Sequence, residues 1–328
     1  MRYVCILDQE GNTLVHREIS ADPNKLNNIL KPYIGNIVVG VECMHCWYWV
    51  SDFCEDLGVD FILGHALYMK AIHGGKAKND RIDSYKIAKL IRGGNFPVAY
   101  VYPKVMRATR DLLRRRTKIV RHGAGLKAHI VNTTSQYNLP AYKPNLKDKE
   151  ACIDFKSTFP DISAQRNIDL DMVILECYRE QLAKVEWFIE QQARQHNPMH
   201  LPILRSINGV GRILSLTIIY EIGNIKRFES VQQFASYSRL VKCRAESAGK
   251  SYGTQGNKIG NAHLKWAFSE VAVLYLRGND KAKNHLLKLQ KRMSKAKALS
   301  ALAHKMGRCI YFMLKNETVF DEERFFKR

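Results

Sequence analysis

The chain has 328 residues, and its 52 lysines and arginines against 31 acids give a formal charge of +21. That length supports two or three domains with a sizeable core, and that charge points to a polyanionic partner whose phosphates supply much of the affinity. No apolar run reaches the roughly 18 to 20 residues of a membrane span; nucleic acid is the expected partner, a protein merely kept apart by like charge or associated with the ribosome being the plainer alternative.

The opening MRYVCILDQEGN lacks the apolar core and cleavage site of a signal peptide. The eight cysteines are too sparse for a disulfide framework and read as reduced thiols of a cytoplasmic protein. RYVCIL and TLVHREI flank the turn DQEGN and predict a β-hairpin. A helix is expected over Pro23 to Tyr33, then a buried strand in NIVVGVE, a helix in WYWVSDFCEDLG ending at Gly58, and a second buried strand in DFILG. Cys43, His45, Cys46 and Cys54 raise the question of zinc, but a structural site needs a second matched pair and apolar Trp47, Tyr48 and Trp49 intervene. After the basic, glycine-rich GGKAK, a helix is predicted to start at Asn79, a good cap. The order β-β-α-β-α-β-α implies an α/β domain with a mixed sheet.

From Lys104 the texture changes. KVMRATRDLLRRRTKIVRHGAGLKAH holds nine lysines and arginines against one acid, Asp111. Arg107, Arg110, Arg114 and Arg121 recur at helical spacing and predict a basic stripe that contacts phosphates. NLPAYKPNLKDKE is a loop. A long amphipathic helix follows from Asp169 to Gln195, with Leu170, Val173, Ile174, Cys177, Leu182, Val185 and Ile189 as its apolar face. It reads as a partner helix or antiparallel coiled coil, paired within the chain or with a second copy.

A further domain starts near Leu201. LPILRSINGVGRILSLTIIYEIG places Gly209-Val210-Gly211 between two helical runs, a helix-hairpin-helix pattern that can bring backbone N–H groups to a phosphate. FESVQQFASYSRL is a short helix, and VKCRAESAGKSYGTQGNKIGN a long polar loop. Helices are predicted over Ala262 to Arg277 and Asn284 to Lys315. Between Lys281 and Arg308 stand nine lysines and arginines and no acid, a second cationic surface that includes Lys288 and Arg292.

Two places carry chemistry. Asp80 and Asp83 project from one helical face and can share a divalent cation; charge compensation at a helix N-terminus accounts for them equally well. Glu42 sits at the carboxyl end of a central strand, where α/β folds build sites. One strand-end Glu with a helical Asp-x-x-Asp are parts of a ribonuclease-H-like site whose metal ions clamp a phosphodiester. Ser247, before Ala-Gly and three residues from Lys250, can attack a phosphate if its proton is drawn off; a polar loop that only touches the backbone is the plainer alternative.

The spacing of Glu42, KNDRID with Asp80 and Asp83, the basic helices, INGVG and ESAGK…GN resembles the DEDD insertion-sequence transposases, the IS one-ten group, some of whose members are RNA-guided bridge recombinases. The resemblance runs through nearly the whole chain. It implies a RuvC-like domain over residues 1–145, a coiled-coil connector over 146–200 and a mainly helical C-terminal transposase domain over 201–328. It also implies Mg²⁺ or Mn²⁺ on Glu42, Asp80 and Asp83, and a covalent phosphoserine link through Ser247. The implied partners are DNA, a structured noncoding guide RNA and further copies of the chain, as a dimer to tetramer, acting on the bacterial nucleoid. The family's remaining acid is an Asp on a strand before the hairpin, so the chain is expected to begin one strand late; Asp8 opens the DQEGN turn and is a poor replacement. Glu246 stands where a small polar residue is common, and Ala248 where glycine is. A RuvC-like junction nuclease without a covalent intermediate, and a truncated form that only binds nucleic acid, are the rival functions.

Overall fold

The computed structural model describes residues 2–44, 46–72, 79–140, 149–248, 250–255 and 259–327. The chain divides into two compact units, residues 1–104 and 105–328. The stretch 73–78, His45, most of the loop after Leu139, Gly249 and residues 256–258 lie outside the described residues.

In the first unit β1 (Arg2–Leu7) and β2 (Thr13–Ile19) form the predicted antiparallel hairpin, with Tyr3 opposite Glu18 and Ile6 opposite Val15. Asp8 builds its turn: one carboxylate oxygen accepts from the Asn12 backbone N–H at 2.7 Å and the other from the Asn12 amide at 2.9 Å. The Asn12 side chain leads in holding the Asp8 carboxyl below its usual range, and three backbone N–H groups add to it. Val4 and Ile6 of β1 and Val15 and Ile19 of β2 alternate onto the core, as a half-buried strand pair requires.

Helix α1 (Pro23–Leu30) starts at Asp22, whose side chain caps the Asn24 N–H, and runs into a 3₁₀ turn over Lys31–Tyr33. Then come β3 (Val38–Glu42), α2 (Trp47–Asp56), β4 (Asp60–Gly64), α3 (Ala66–Ile72), α4 (Asp80–Arg92) and β5 (Val98–Ala99). β3 and β4 are parallel, Val38 opposite Asp60 through Glu42 opposite Gly64, and β5 runs antiparallel to β4. The mixed sheet therefore has three strands, and the β1–β2 hairpin is a separate ladder. Strand β3 is half-buried, with Val38 exposed, where its unbroken apolar run predicted burial. One core joins the hairpin to the sheet: Ile6, Leu26, Ile29, Leu30, Val50, Cys54 and Val59, with Val39, Val41 and Phe61 against them. Cys54 belongs to this core, and burial raises its thiol to about 11. Cys46 is buried and Cys43 exposed.

The second unit is helical apart from one hairpin. Its elements are α5 (Lys104–Gln136), α6 (Lys149–Ser157), α7 (Ile162–His196), α8 (His200–Arg205), α9 (Arg212–Ile222), α10 (Val231–Tyr237), β6 (Cys243–Ser247), β7 (Lys250–Gln255), α11 (Ala262–Tyr275), α12 (Asp280–Gln290), α13 (Lys295–Asn316) and α14 (Glu322–Phe326). Helix α7 begins seven residues before its expected start because Asp161 caps it, accepting from the Ser163 and Ala164 N–H groups. Its buried face is Ala164, Ile168, Asp171, Met172, Leu175, Ile189 and Ala193. Of the predicted face only Ile189 is buried; Leu170 and Val173 are exposed. Ile168, Met172 and Leu175 pack on Ile130 of α5 and on Phe155 and Phe159, and this contact turns the helix.

Helix α9 is buried all round, as an apolar helix in the middle of a core must be. Leu264, Phe268, Val271 and Tyr275 of α11 and Leu302, Met306 and Ile310 of α13 surround it in one cluster. Each such side chain contributes about 1.5–3 kcal/mol by leaving water. The last helical region, predicted as one, is broken between Gln290 and Lys295, with Ser294 at the start of α13. No helix among the described residues is long and apolar enough to cross a membrane.

Candidate active site and nucleic-acid interface

The three acids stand at strand and helix ends of the first unit. Asn79 is the cap of α4, its side chain accepting from the Ile82 N–H at 2.8 Å, so Asp80 and Asp83 fall in the first turn as predicted. The helix is strapped to the hairpin at both ends. Near its start the His16 ring meets the Arg81 carbonyl at 3.0 Å and stacks on Tyr85; near its end Arg92 donates to the Gln9 carbonyl at 3.1 Å. It is seated on β3 at Gly40, where a Cβ would stand 2.3 Å from Ile91 Cδ1, so a side chain there would force the Ile91 side chain to move. Asp80 is exposed beside a shallow hollow lined also by Tyr3, Glu18, Asn79 and Arg81. Asp83 and Glu42 are half-buried.

No ion pair or hydrogen bond engages the Glu42, Asp80 or Asp83 carboxylate among the described residues. Neither these nor other His, Cys, Asp or Glu side chains among the described residues gather in a group of three or more able to hold a metal. The acids are thus available donors, not a ready-built metal centre. A residue the sequence reading passed over lies beside Glu42. His65 follows the end of β4, its Nδ1 is buried without a hydrogen-bond partner among the described residues, and burial lowers the imidazole below its ordinary range. Its signal was its place one residue after DFILG, just past Gly64, the register partner of Glu42.

Ser247 lies in the second unit, and not on a loop. AESAGKSYGTQ forms the β6–β7 hairpin, in which Ser247 is directly opposite Lys250 across a two-residue turn. The turn needs positive φ, and Ala248 supplies it at +48°. Lys250 is exposed. Polar alternation and short length hid this ladder, since strand signals rest on β-branched and aromatic runs.

The arginines of α5 divide. Arg107 and Arg110 are buried, at 4 % and 9 % exposure. Arg110 donates through Nε and Nη2 to Oε2 of Glu221, and Arg114 reaches Oε1 at 2.6 Å and Oε2 at 2.8 Å. The Asn261 amide adds a bond to Oε2 at 2.8 Å. Burial by itself would raise the Glu221 carboxyl, but the Arg114 bond, the two guanidinium charges and the Asn261 amide outweigh it and hold it at about 2. The stripe predicted through Arg107, Arg110 and Arg114 therefore faces the protein interior, although the Arg114 side chain keeps 36 % exposure. The outward cations of α5 are Arg115, Lys118, Arg121 and Lys127. Lys288 and Arg292 are also exposed, at the end of α12 and just past it. Glu221 was missed; its signal was a single acid inside the apolar run ILSLTIIYEIG.

Residues 2–138 match the family described as Transposase, of the DEDD IS110 group. Residues 201–286 match the Transposase IS116/IS110/IS902 family. No curated protein matches the chain.

Proposed function

Because the chain belongs to the IS110-type transposases, enzymes that recombine DNA, we propose that it cuts and rejoins DNA with Ser247 as nucleophile, at sites specified by a structured noncoding RNA. The observation that carries this reading is the hairpin: Ser247 stands across the ladder from exposed Lys250 at a two-residue turn. A hydroxyl beside a turn can approach a phosphate closely, and a neighbouring ammonium offsets the charge that builds on the phosphoryl oxygens. In the step itself the serine hydroxyl loses its proton, its oxygen bonds to phosphorus, and a deoxyribose oxygen leaves and takes up a proton. Rejoining reverses that exchange with a new deoxyribose oxygen.

Membership of the DEDD group suggests dependence on a divalent cation. We assign Mg²⁺ or Mn²⁺ to Glu42, Asp80 and Asp83, whose oxygen donors suit either ion and whose charge no cation among the described residues neutralises. Arg121, Lys250, Lys288 and Arg292 are assigned to DNA and RNA backbones, since each is exposed. Self-association into a dimer or tetramer is assigned to α7, which exposes Leu170, Val173, Trp187 and Phe188, an unusual concentration of apolar surface on one helix.

The test is a covalent adduct. The full chain, its element's junction DNA, the flanking noncoding RNA and Mg²⁺ are mixed, denatured and examined for protein-linked DNA. Wild type is expected to form the adduct and Ser247→Ala to form none. Cutting that survives in Ser247→Ala would instead mark a water-using junction nuclease.

A further inference from the structure

The β6–β7 hairpin is a two-stranded ladder, and such a ladder has little stability of its own. Its posture depends on what grips its root. Ser247 lies four residues beyond Cys243, the first ladder position, so it stands roughly 13 Å from the base at about 3.3 Å per residue. A tilt of the root of about 10° would therefore carry the serine about 2 Å, by that same spacing. Attack on phosphorus needs the atoms held near 3–3.5 Å, and an error of about 1 Å can lower the rate about 100-fold.

The root is gripped from both sides. On the inbound side the Leu240 N–H bonds to the Ala235 carbonyl at 2.9 Å, and the Leu240 side chain packs on Gly307. On the outbound side Arg239 Nε donates to the carbonyls of Ile259 at 2.9 Å and Gly260 at 3.0 Å, tying the chain that leads into β6 to the residues just before α11. Gly260 has φ +91°, and a Cβ there would stand 2.6 Å from the Tyr237 carbonyl. The next residue, Asn261, donates its backbone N–H to that carbonyl at 2.6 Å. Its side-chain oxygen caps α11 through the His263 and Leu264 N–H groups, and its amide reaches Glu221. Asn261 thus joins three things: the hairpin root, the start of α11, and the carboxylate that Arg110 and Arg114 lock to α5.

A buried ion pair adds little net stability over a well-packed apolar group, because desolvation offsets its attraction. What it does supply is direction, and here the direction ends on the hairpin root. We propose that Glu221 and Asn261 are positioning residues for the Ser247 hairpin: the carboxylate, held in one orientation by two arginines of α5, fixes the Asn261 amide and so sets the angle at which β6 and β7 leave the helical core. This rests on Ser247 as nucleophile, and it adds residues that touch neither DNA nor the reacting atoms.

The variant that separates this from a general structural role is Asn261→Ser. Serine keeps an oxygen to cap α11 but is too short to reach Glu221, and it leaves the Arg110–Glu221–Arg114 cluster intact. The first measurement is hydrogen exchange on the free full-length protein. The amides of residues 243–255 are expected to exchange about tenfold faster or more, while those of α11 from Phe268 onward keep wild-type rates. The second is adduct formation on junction DNA, expected to slow about 100-fold with DNA affinity unchanged. Glu221→Gln, which keeps the shape and loses the charge, is expected to give the same pattern. Wild-type exchange in the hairpin, or an adduct at the wild-type rate, would overturn the inference. Adduct persisting in Ser247→Ala would remove the nucleophile assignment, while the exchange result would still decide the grip on the hairpin.

Discussion

Two sets of carboxylates in this protein are treated in opposite ways. Asp80 and Asp83 open α4, and Glu42 ends β3, with no side-chain partner for any of them among the described residues. Glu221, on the last turn of α9, is 1 % exposed and takes donors from Arg110, Arg114 and Asn261. The first set holds charge in reserve at element ends; the second uses its charge to orient neighbours. What sets the first set apart is its place, at the carboxyl end of β3 and in the first turn of α4, where acids can meet a ligand from outside.

The contrast can be broken by mutation. Glu221→Ala leaves two guanidiniums beside an empty place and is expected to destabilise the second unit by about 3–5 kcal/mol, measured by denaturant unfolding. Asp80→Asn is expected to leave stability within about 0.5 kcal/mol and to lower Mg²⁺- or Mn²⁺-supported cutting by about 100-fold or more, equivalent to about 2.7 kcal/mol of barrier. A large stability loss in Asp80→Asn would show that its charge is structural after all.

Acid sharpens the same difference. The Glu221 carboxyl lies near 2 in the folded chain against an ordinary 4.5, so the unfolded state binds its proton first as pH falls. The stability it contributes is full above about 4.5 and is lost as pH drops toward 2. Unfolding midpoints followed from pH 6 to 2.5 should decline in that window, and the decline should be shallower in Glu221→Gln.

Arginines of α5 are expected to separate likewise. Arg121→Ala should weaken DNA binding and lower the slope of log affinity against log salt by about 1, with stability unchanged. Arg110→Ala should do the reverse, lowering stability with the slope kept. The smallest effect is expected at the serine turn. Ala248 at φ +48° carries a strain of about 1 kcal/mol that glycine would not, so Ala248→Gly should raise the stability of the hairpin by up to that amount, seen as slower hydrogen exchange.

Where the sequence was legible, the signals were local. DQEGN placed a hairpin and Asn79 a helix start, because a turn residue and a cap act on backbone groups within four positions. The same holds for the end of α2 near Gly58 and for the starts of α1, α2 and α11. Misreadings arose where an element's neighbours decide which side faces in. Leu170 and Val173 are as apolar as Ile168 and Met172, and only the packing on Ile130, Phe155 and Phe159 shows which pair is buried. Arg110 and Arg114 share a helix with Arg121 and Lys118, yet a single acid more than a hundred residues away on α9 draws two of the four inward. The Ser247 ladder escaped because its strands are short and polar, without the β-branched and aromatic runs that mark a strand.

The sequence by itself determined the acids at element ends, the excess of positive charge, the order of β1 to β4 with α1, α2 and α4 in the first unit though not α3 or β5, and the serine with its lysine three residues on. Each of these depends on a residue and its near neighbours in the chain. Tertiary structure alone decided which arginines reach solvent, which face of α7 is covered, that the serine rides on a hairpin, and that Glu221 meets Arg110, Arg114 and Asn261. Those outcomes are contacts between residues far apart in the chain, where burial and charge pairing overrule the spacing that periodicity can see.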